Sequence, residues 1–255
     1  MILEKIMREI IDFHTHPFLD EKDSICIYKD TTKTTPDDLS LIGIDRFCGS
    51  VITYKSSGIG NTRISNDTSL ALREKYGEKY IPGFMVHPNF PEESIEELKK
   101  AEENGVRLIG ELVPYAYKWQ YDSEGFYEIL DYTDNHDFLY SMHTTDISVM
   151  HKIAKEHKNT EFVFAHPGEA ARVNEHIEVM MDCDNVYLDL SGTGLFRYGM
   201  LKHLVTKVGA ERIIFGSDYP ICNPAMYISG VEFEKITDRE KELIFSENAK
   251  RLLKI

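Results

Sequence analysis

Eight short, nearly continuous apolar runs recur along the 255-residue chain, and stretches with helical periodicity lie between them. The runs are REIIDFHTH from Arg8, FCGSVITY from Phe47, YIPGFMVHP from Tyr80, GVRLIGELVP from Gly105, FLYSMHT from Phe138, EFVFAHPG from Glu161, NVYLDLSG from Asn185 and RIIFGSDYP from Arg212. Runs of this kind are expected of parallel strands buried on both faces. The intervening pieces carry helix signals. TPDDLSLIGID has a Thr35 cap and Pro36 at the first helical position. FPEESIEELKKAEENG has an early Pro91, acids in its first turn and Gly105 past its end. DISVMHKIAKEHKN follows an Asp146 cap, and DREKELIFSENAKRLLKI closes the chain as an amphipathic helix. Eight strand-helix alternations at this length predict an α/β fold, a (β/α)8 TIM barrel formed as a single domain over residues 1–255. A doubly wound open sheet with six alternations is the rival, but no GxGxxG follows the first run.

The least regular stretches are residues 17–34 and 55–68, each following the C-terminal end of a predicted strand. In a barrel that end carries the active site and its specificity loops. TYKSSGIGNTRISN, rich in small and polar residues, is expected to form a mobile flap.

Polar residues recur at one end of the apolar runs. His14 and His16 end the first, Glu111 lies in the second half of the fourth, His143 ends the fifth, His166 the sixth and Asp218 the eighth. Residues i and i+2 of a strand share a face, so His14 and His16 would point the same way. In a closed parallel barrel all six groups converge on one mouth. Packing so many imidazoles and carboxylates together is costly unless a divalent metal coordinates them. Taken singly, each has a plainer explanation. A lone strand histidine is usually a hydrogen-bonded core residue, Glu111 alone could be an ion-pair partner, and Asp218 alone could cap the turn before Pro220. His87 ends the third run and is left outside the site. His136, His151, His157, His176 and His203 fall in predicted helices or at their ends and are assigned to surface or packing. Joint placement on five strands is what favours a metal cup.

Composition narrows the partners. A formal net charge of −14 disfavours nucleic acid and anionic membranes. Cys26, Cys48, Cys183 and Cys222 are scattered without a CxxC pair, which fits a reducing cytoplasm. The N-terminal MILEKIMREIIDFHTH is broken by charges and lacks a cleavage site, and no run reaches the length of a membrane span. The expectation is a cytoplasmic protein that acts on a small molecule.

The set from DFHTHP through GSDYP to SENAKRLL resembles the amidohydrolase superfamily over nearly the whole chain, most closely the amidohydrolase-related (amidohydrolase 2) branch that includes decarboxylases. The HxH pair, the strand-five and strand-six histidines and the strand-eight aspartate have counterparts there. The Glu111 of LIGELVPY departs from the decarboxylase-like branch and is similar to the strand-four glutamate of TatD-type metal-dependent hydrolases. The resemblance implies two arrangements. With one ion, His14, His16, His143 and Asp218 are ligands and His166 is a free acid/base group. With two ions, His14, His16 and Asp218 hold the first, His143 and His166 the second, and Glu111 bridges. The second is favoured because Glu111 would otherwise be an unpaired acid at the mouth. Zinc is the first choice of metal, with manganese or iron as alternatives. Bound metal lowers the pKa of water towards about 7, and Asp218 would shuttle the proton from water to the leaving group.

The implied activity is metal-dependent hydrolysis of a small amide, lactone or ester. The alternatives are a metal-dependent decarboxylase of an unsaturated or aromatic acid and a metal-binding protein without catalysis. Substrate candidates are Tyr115, Tyr117, Lys118 and Trp119 in PYAYKW, with Arg63, Arg172 and Arg197 as grips for a carboxylate or phosphate. Asp189 and Ser191 of LDLSG lie near the mouth, and without a GxSxG elbow Ser191 is not expected to be a nucleophile. Many members of the family are dimers, so the resemblance also carries the expectation of a homodimer.

Overall fold

A computed structural model describes residues 8–255, so the first seven residues of the segment read for a leader lie outside the described residues. Strand and helix alternate from the start. β1 (Ile11–Asp12) leads to α1 (Asp37–Leu41), β2 (Arg46–Ser50) to α2 (Ile59–Tyr76), and β3 (Tyr80–Phe84) to α3 (Pro91–Glu103). β4 (Leu108–Leu112) leads to α4 (Pro114–Tyr117) and α5 (Glu124–Thr133), β5 (Leu139–His143) to α6 (Ile147–Glu156), and β6 (Glu161–Ala165) to α7 (Ala170–Asp182). β7 (Val186–Asp189) is followed by α8 (Met200–Val208). After β8 (Ile213–Ile214) come α9 (Pro224–Phe233), α10 (Asp238–Glu242) and α11 (Asn248–Leu253), the last two joined by a π turn at Leu243–Glu247.

All neighbouring strands are parallel and run in chain order from β1 to β8, which makes this a TIM barrel. The seam between β8 and β1 closes just beyond the regular strands. Phe13 N donates to Phe215 O at 2.9 Å, Asp218 N to His14 O at 2.8 Å and His16 N to Tyr219 O at 2.7 Å. The fully buried Asp12 carboxylate reinforces the seam by accepting from Ser217 N at 2.9 Å and Ser217 Oγ at 2.5 Å. The seam thus fixes the first two histidines of the predicted cup against the strand that supplies Asp218.

A small apolar cluster takes residues from nearly every strand, among them Ile11, Leu108, Leu139, Val163 and Ile214, and joins them to Ala249, Leu252 and Leu253 of α11. Most of these lie early in their strands, so α11 covers the N-terminal end of the barrel. The larger cluster, with Phe84, Phe126, Tyr140, Phe162 and Phe164, fills the space between sheet and helices. The Asp146 cap is present, accepting from Ser148 N at 2.9 Å and Val149 N at 3.3 Å. The terminal helix also starts on a capping box of Thr237 and Glu240. No helix among the described residues is long and apolar enough to cross a membrane.

One expectation is corrected. Residues 59–66 of the segment read as a mobile flap are the first turns of the 18-residue α2. Its buried face carries Asn61, Thr62, Ser65, Asn66 and Ser69, so it has no apolar stripe to betray a helix. Two residues of that polar face, Asn66 and Ser69, bond the backbone at and just after β3. Asn66 accepts from Met85 N at 2.7 Å and donates to Met85 O at 3.1 Å and to Glu97 Oε2 at 2.9 Å. Ser69 Oγ donates to Gly83 O at 2.9 Å. Asn66→Ala would leave Met85 N and O buried without partners and is expected to cost about 2 kcal/mol or more of stability in urea denaturation. Ala at the exposed neighbour Asp67 should change stability by no more than about 0.5 kcal/mol.

Candidate metal centre

The mouth of the barrel collects the predicted polar side chains, and three local features aim them. On β5, Leu139 belongs to the inner cluster, so regular alternation carries Ser141 and His143 to the same face. On β4 the register against β5 shifts between Ile109 and Leu112, because three steps on β4 span two on β5. Such a bulge re-aims a side chain, here Glu111. On β6, alternation from Val163 would send His166 outward, but its φ of 67° turns the chain at the strand end. Asp218 is likewise left-handed, with φ of 66°. Positive φ in residues other than glycine is strained and clusters at functional sites. Gly192 has to be glycine: its φ is +63°, and a Cβ there would lie 2.3 Å from His166 Nδ1.

Hydrogen bonding fixes which ring nitrogens carry protons. His14 Nδ1 lies 2.8 Å from Asp189 Oδ2, and a carboxylate only accepts, so Nδ1 donates. In the neutral ring His14 Nε2 is then the nitrogen that carries the lone pair. It is buried without a hydrogen-bond partner and lies 3.3 Å from Glu111 Oε2 and 3.7 Å from Asp218 Oδ1. His16 repeats the pattern. Its Nδ1 donates to Ser50 O at 3.2 Å, and its Nε2 lies 3.3 Å from Glu111 Oε2 and 3.5 Å from Asp218 Oδ1. The other Glu111 oxygen faces a second pair: Oε1 is 2.9 Å from His143 Nδ1 and 3.1 Å from His166 Nε2. Ser191 links the two sides. Its Oγ donates to Asp189 Oδ1 at 2.5 Å, leaving it to accept from His166 Nδ1 at 3.0 Å.

Lone pairs and carboxylate oxygens facing one another across 3–4 Å repel unless a cation lies among them. The charge balance expresses this demand. Burial opposes the protonation of His14, yet the Glu111 and Asp189 carboxylates prevail and hold its pKa well above the ordinary value. Burial likewise opposes protonation of His16, but hydrogen bonds to Asp218 and Glu111 raise it to about 9. Glu111, for all its burial, is held well below the usual carboxylate range by His14 and the other imidazoles. Burial disfavours ionised Asp189 as well, and His14 lowers its pKa nonetheless. Imidazole and carboxylate donors with oriented outer partners fit a divalent metal ion. Asp12 belongs to the frame: burial pushes it up to about 7 even though Ser217 and the His14 backbone donate to it.

Above these groups opens a cavity of about 540 Å³, reached by His16, Glu111, His143, His166 and Asp218. Of the predicted substrate residues, Tyr115 lines it, edge-on to His143 with ring centroids 5.0 Å apart. The others lie elsewhere. Tyr117 is buried with its hydroxyl at Thr53 N, 3.3 Å away. Trp119 is buried against Tyr121 and Phe126, because its ring completes the apolar core beneath α5. Arg63 is on α2, paired with Glu96 and Glu97. Arg172 pairs with Glu175 one turn along α7, and Arg197 forks onto Glu169. Lys118 sits exposed at the end of α4. The cationic lining is instead Lys22, Lys29 and Lys55, from the two irregular stretches, where no periodicity tells which way a side chain points. Asp12 was also missed, although an acid inside an apolar run is a signal.

A family model described as Amidohydrolase matches residues 11–255. No curated protein matches the chain. Among solved structures, a TIM-barrel protein from Bordetella bronchiseptica has a TM-score of 0.77 at 19% identity, covering 96% of this chain and 98% of its own. A 2,6-dihydroxybenzoate decarboxylase from Rhizobium has a TM-score of 0.74 at 15% identity, covering 97% and 99%. A dihydroxybenzoic acid decarboxylase from Polaromonas, with bound manganese and the inhibitor 2-nitroresorcinol, has a TM-score of 0.72 at 15% identity, covering 97% of each chain. At these identities the likeness is one of fold.

If Asp189 fixes the His14 tautomer, Asp189→Asn should weaken divalent-metal affinity about 10- to 100-fold in competition with a chelator, with the circular dichroism spectrum unchanged. Unaltered affinity would remove Asp189 from this role.

Proposed function

The chain belongs to the amidohydrolase family, and from that premise we propose that it is a metal-dependent hydrolase of a small ester, lactone or amide, built around a two-ion site. The observation that carries the reading is the division of Glu111. One carboxylate oxygen faces His14 and His16 with Asp218 nearby, and the other faces His143 and His166. A carboxylate so placed can serve two cations at once. The ligand atoms of His14, His16 and Glu111 lie within 4.8 Å of one another, as do those of Glu111, His143 and His166. Zinc remains the first choice for imidazole and carboxylate donors, with manganese or iron as alternatives.

When bound, divalent ions supply a lowered pKa for water and polarise the oxygen of the scissile group. The protein residues do the rest. Asp189 and Ser191 hold His14 and His166 in fixed orientation. The Asp218 carboxylate, at the C-terminal end of the barrel, takes the proton of the attacking water and returns it to the leaving group. Tyr115, stacked edge-on against His143, walls the substrate in on one side.

A second reading is non-oxidative decarboxylation of an aromatic acid at a one-ion site of His14, His16, His143 and Asp218. Its support is the shared barrel of the Rhizobium and Polaromonas decarboxylases together with the Tyr54 and Tyr115 rings beside the cavity. Under it Glu111 orients the histidines and His166 acts as the free acid.

Elemental analysis separates the two. Protein purified without chelator is expected to hold about two metal equivalents, falling to one or fewer in Glu111→Gln. One equivalent in both proteins, with carbon dioxide released from hydroxybenzoic acids, would replace the hydrolase by the decarboxylase.

A further inference from the structure

The cavity has three zones of different chemistry. Its floor is the metal centre. Its walls are apolar or aromatic, with Ile25, Ile52, Tyr54, Val113, Tyr115 and Ile221. Its mouth carries Lys22, Lys29 and Lys55 against a single acid, Asp23. These lysines are not equivalent. Lys55 is paired with Asp23 at 2.6 Å, which ties the loop after β1 to the loop after β2. Lys22 is paired with Asp20 at 2.7 Å. Lys29 has no carboxylate within ion-pair distance among the described residues. Its ammonium instead donates to Ser24 O at 3.2 Å and Lys22 O at 3.5 Å. Ser24 is itself buried and anchored, its Oγ lying 3.0 Å from Thr34 Oγ1 and accepting from Cys26 N at 3.2 Å. The anchored Ser24 carbonyl, with the Lys22 carbonyl at longer range, thus orients an ammonium that has no carboxylate partner among the described residues and a donor to spare.

We propose that Lys29 determines the specificity of this site by binding a carboxylate on the substrate, at the end remote from the bond that is cleaved. The substrate class follows from the zones: an ester, lactone or amide at the floor, an apolar or aromatic body between the walls, and a carboxylate at the mouth. A monoanion matches the one ammonium without a carboxylate partner, whereas a phosphate dianion would leave its second charge unmatched. The zoning rests on the hydrolytic reading of the floor, but the role of Lys29 can be tested apart from it.

The test uses metal-loaded protein and two matched pairs of probes. Binding of 4-hydroxybenzoate and of 4-hydroxybenzamide is measured by calorimetry, and hydrolysis is followed with 4-acetoxybenzoate and its methyl ester. The wild type should favour the anion in both pairs, and Lys29→Ala should lower that preference about tenfold, the effect of losing one charge-assisted hydrogen bond. Lys29→Arg should retain the preference and Lys29→Glu should reverse it, with the hydrolytic effect falling mainly on KM. A preference unchanged in Lys29→Ala and Lys29→Glu would overturn the proposal, as would failure of both benzoic probes to bind. Binding that depends on Lys29 without hydrolysis of either ester would uphold the anion site and overturn the hydrolase. Hydrolysis indifferent to Lys29 would do the opposite.

Discussion

Everything at the mouth of this barrel is arranged around one buried carboxylate. Glu111 is 4% exposed and has imidazole nitrogens of four histidines within 3.3 Å of its two oxygens. An ionised carboxylate in such a place carries a large desolvation cost, and neutral imidazoles presenting lone pairs cannot repay it. Only positive charge can, as protons on the rings or as metal ions among them. The hydrogen bonds behind the rings weigh the balance towards metal. Asp189 and the Ser50 carbonyl occupy the Nδ1 protons of His14 and His16, so in the neutral rings it is Nε2 that offers an electron pair on the side of Glu111. This outer ring of partners does as much as the ligands themselves to say what belongs at the centre.

The barrel supports that arrangement by departing from regularity at a few points. A strand with strict alternation delivers every second side chain to the mouth, which suffices for His143. It does not suffice for Glu111 or His166, which need the bulge in β4 and the left-handed turn after β6. Gly192 then clears the space that His166 fills. The strain of these features is carried by the barrel below, where α11 and the inner apolar cluster are fully packed. The site thus stands on a buried, packed floor, a division of labour typical of this architecture.

What was legible in the sequence follows the same physics. Strands buried on both faces read as unbroken apolar runs, so the barrel and its order were visible. Ionisable residues ending such runs stand out because burial makes them costly, so the six groups at the mouth were visible as well. α2 was not, because its inner face is made of Asn, Thr and Ser, with Asn66 and Ser69 bonded to the backbone at β3, and helix periodicity is usually sought in apolar residues. Trp119 and Tyr117 looked like pocket residues because they follow β4, but α4 and the chain after it fold them into the core. The lysines of the mouth lie in loops, where direction is set by irregular contacts such as the hydrogen bonds Lys29 donates to Ser24 O and Lys22 O. No local pattern encodes those.

The acidic surface and the cationic mouth do not contradict each other. A net charge of −14 repels a polyanion because a polyanion meets the whole surface. A small carboxylate meets only its surroundings, since charges beyond about 8–10 Å are screened at physiological salt. At the mouth Lys55 is paired with Asp23 and Lys22 with Asp20, whereas Lys29 has no carboxylate within ion-pair distance among the described residues. Tying the two flanking lysines to acids keeps the mouth from becoming a general anion trap, and holding the third with carbonyls keeps its charge available. Selectivity for one anionic group on a small molecule can therefore come from a single ammonium in an otherwise acidic protein.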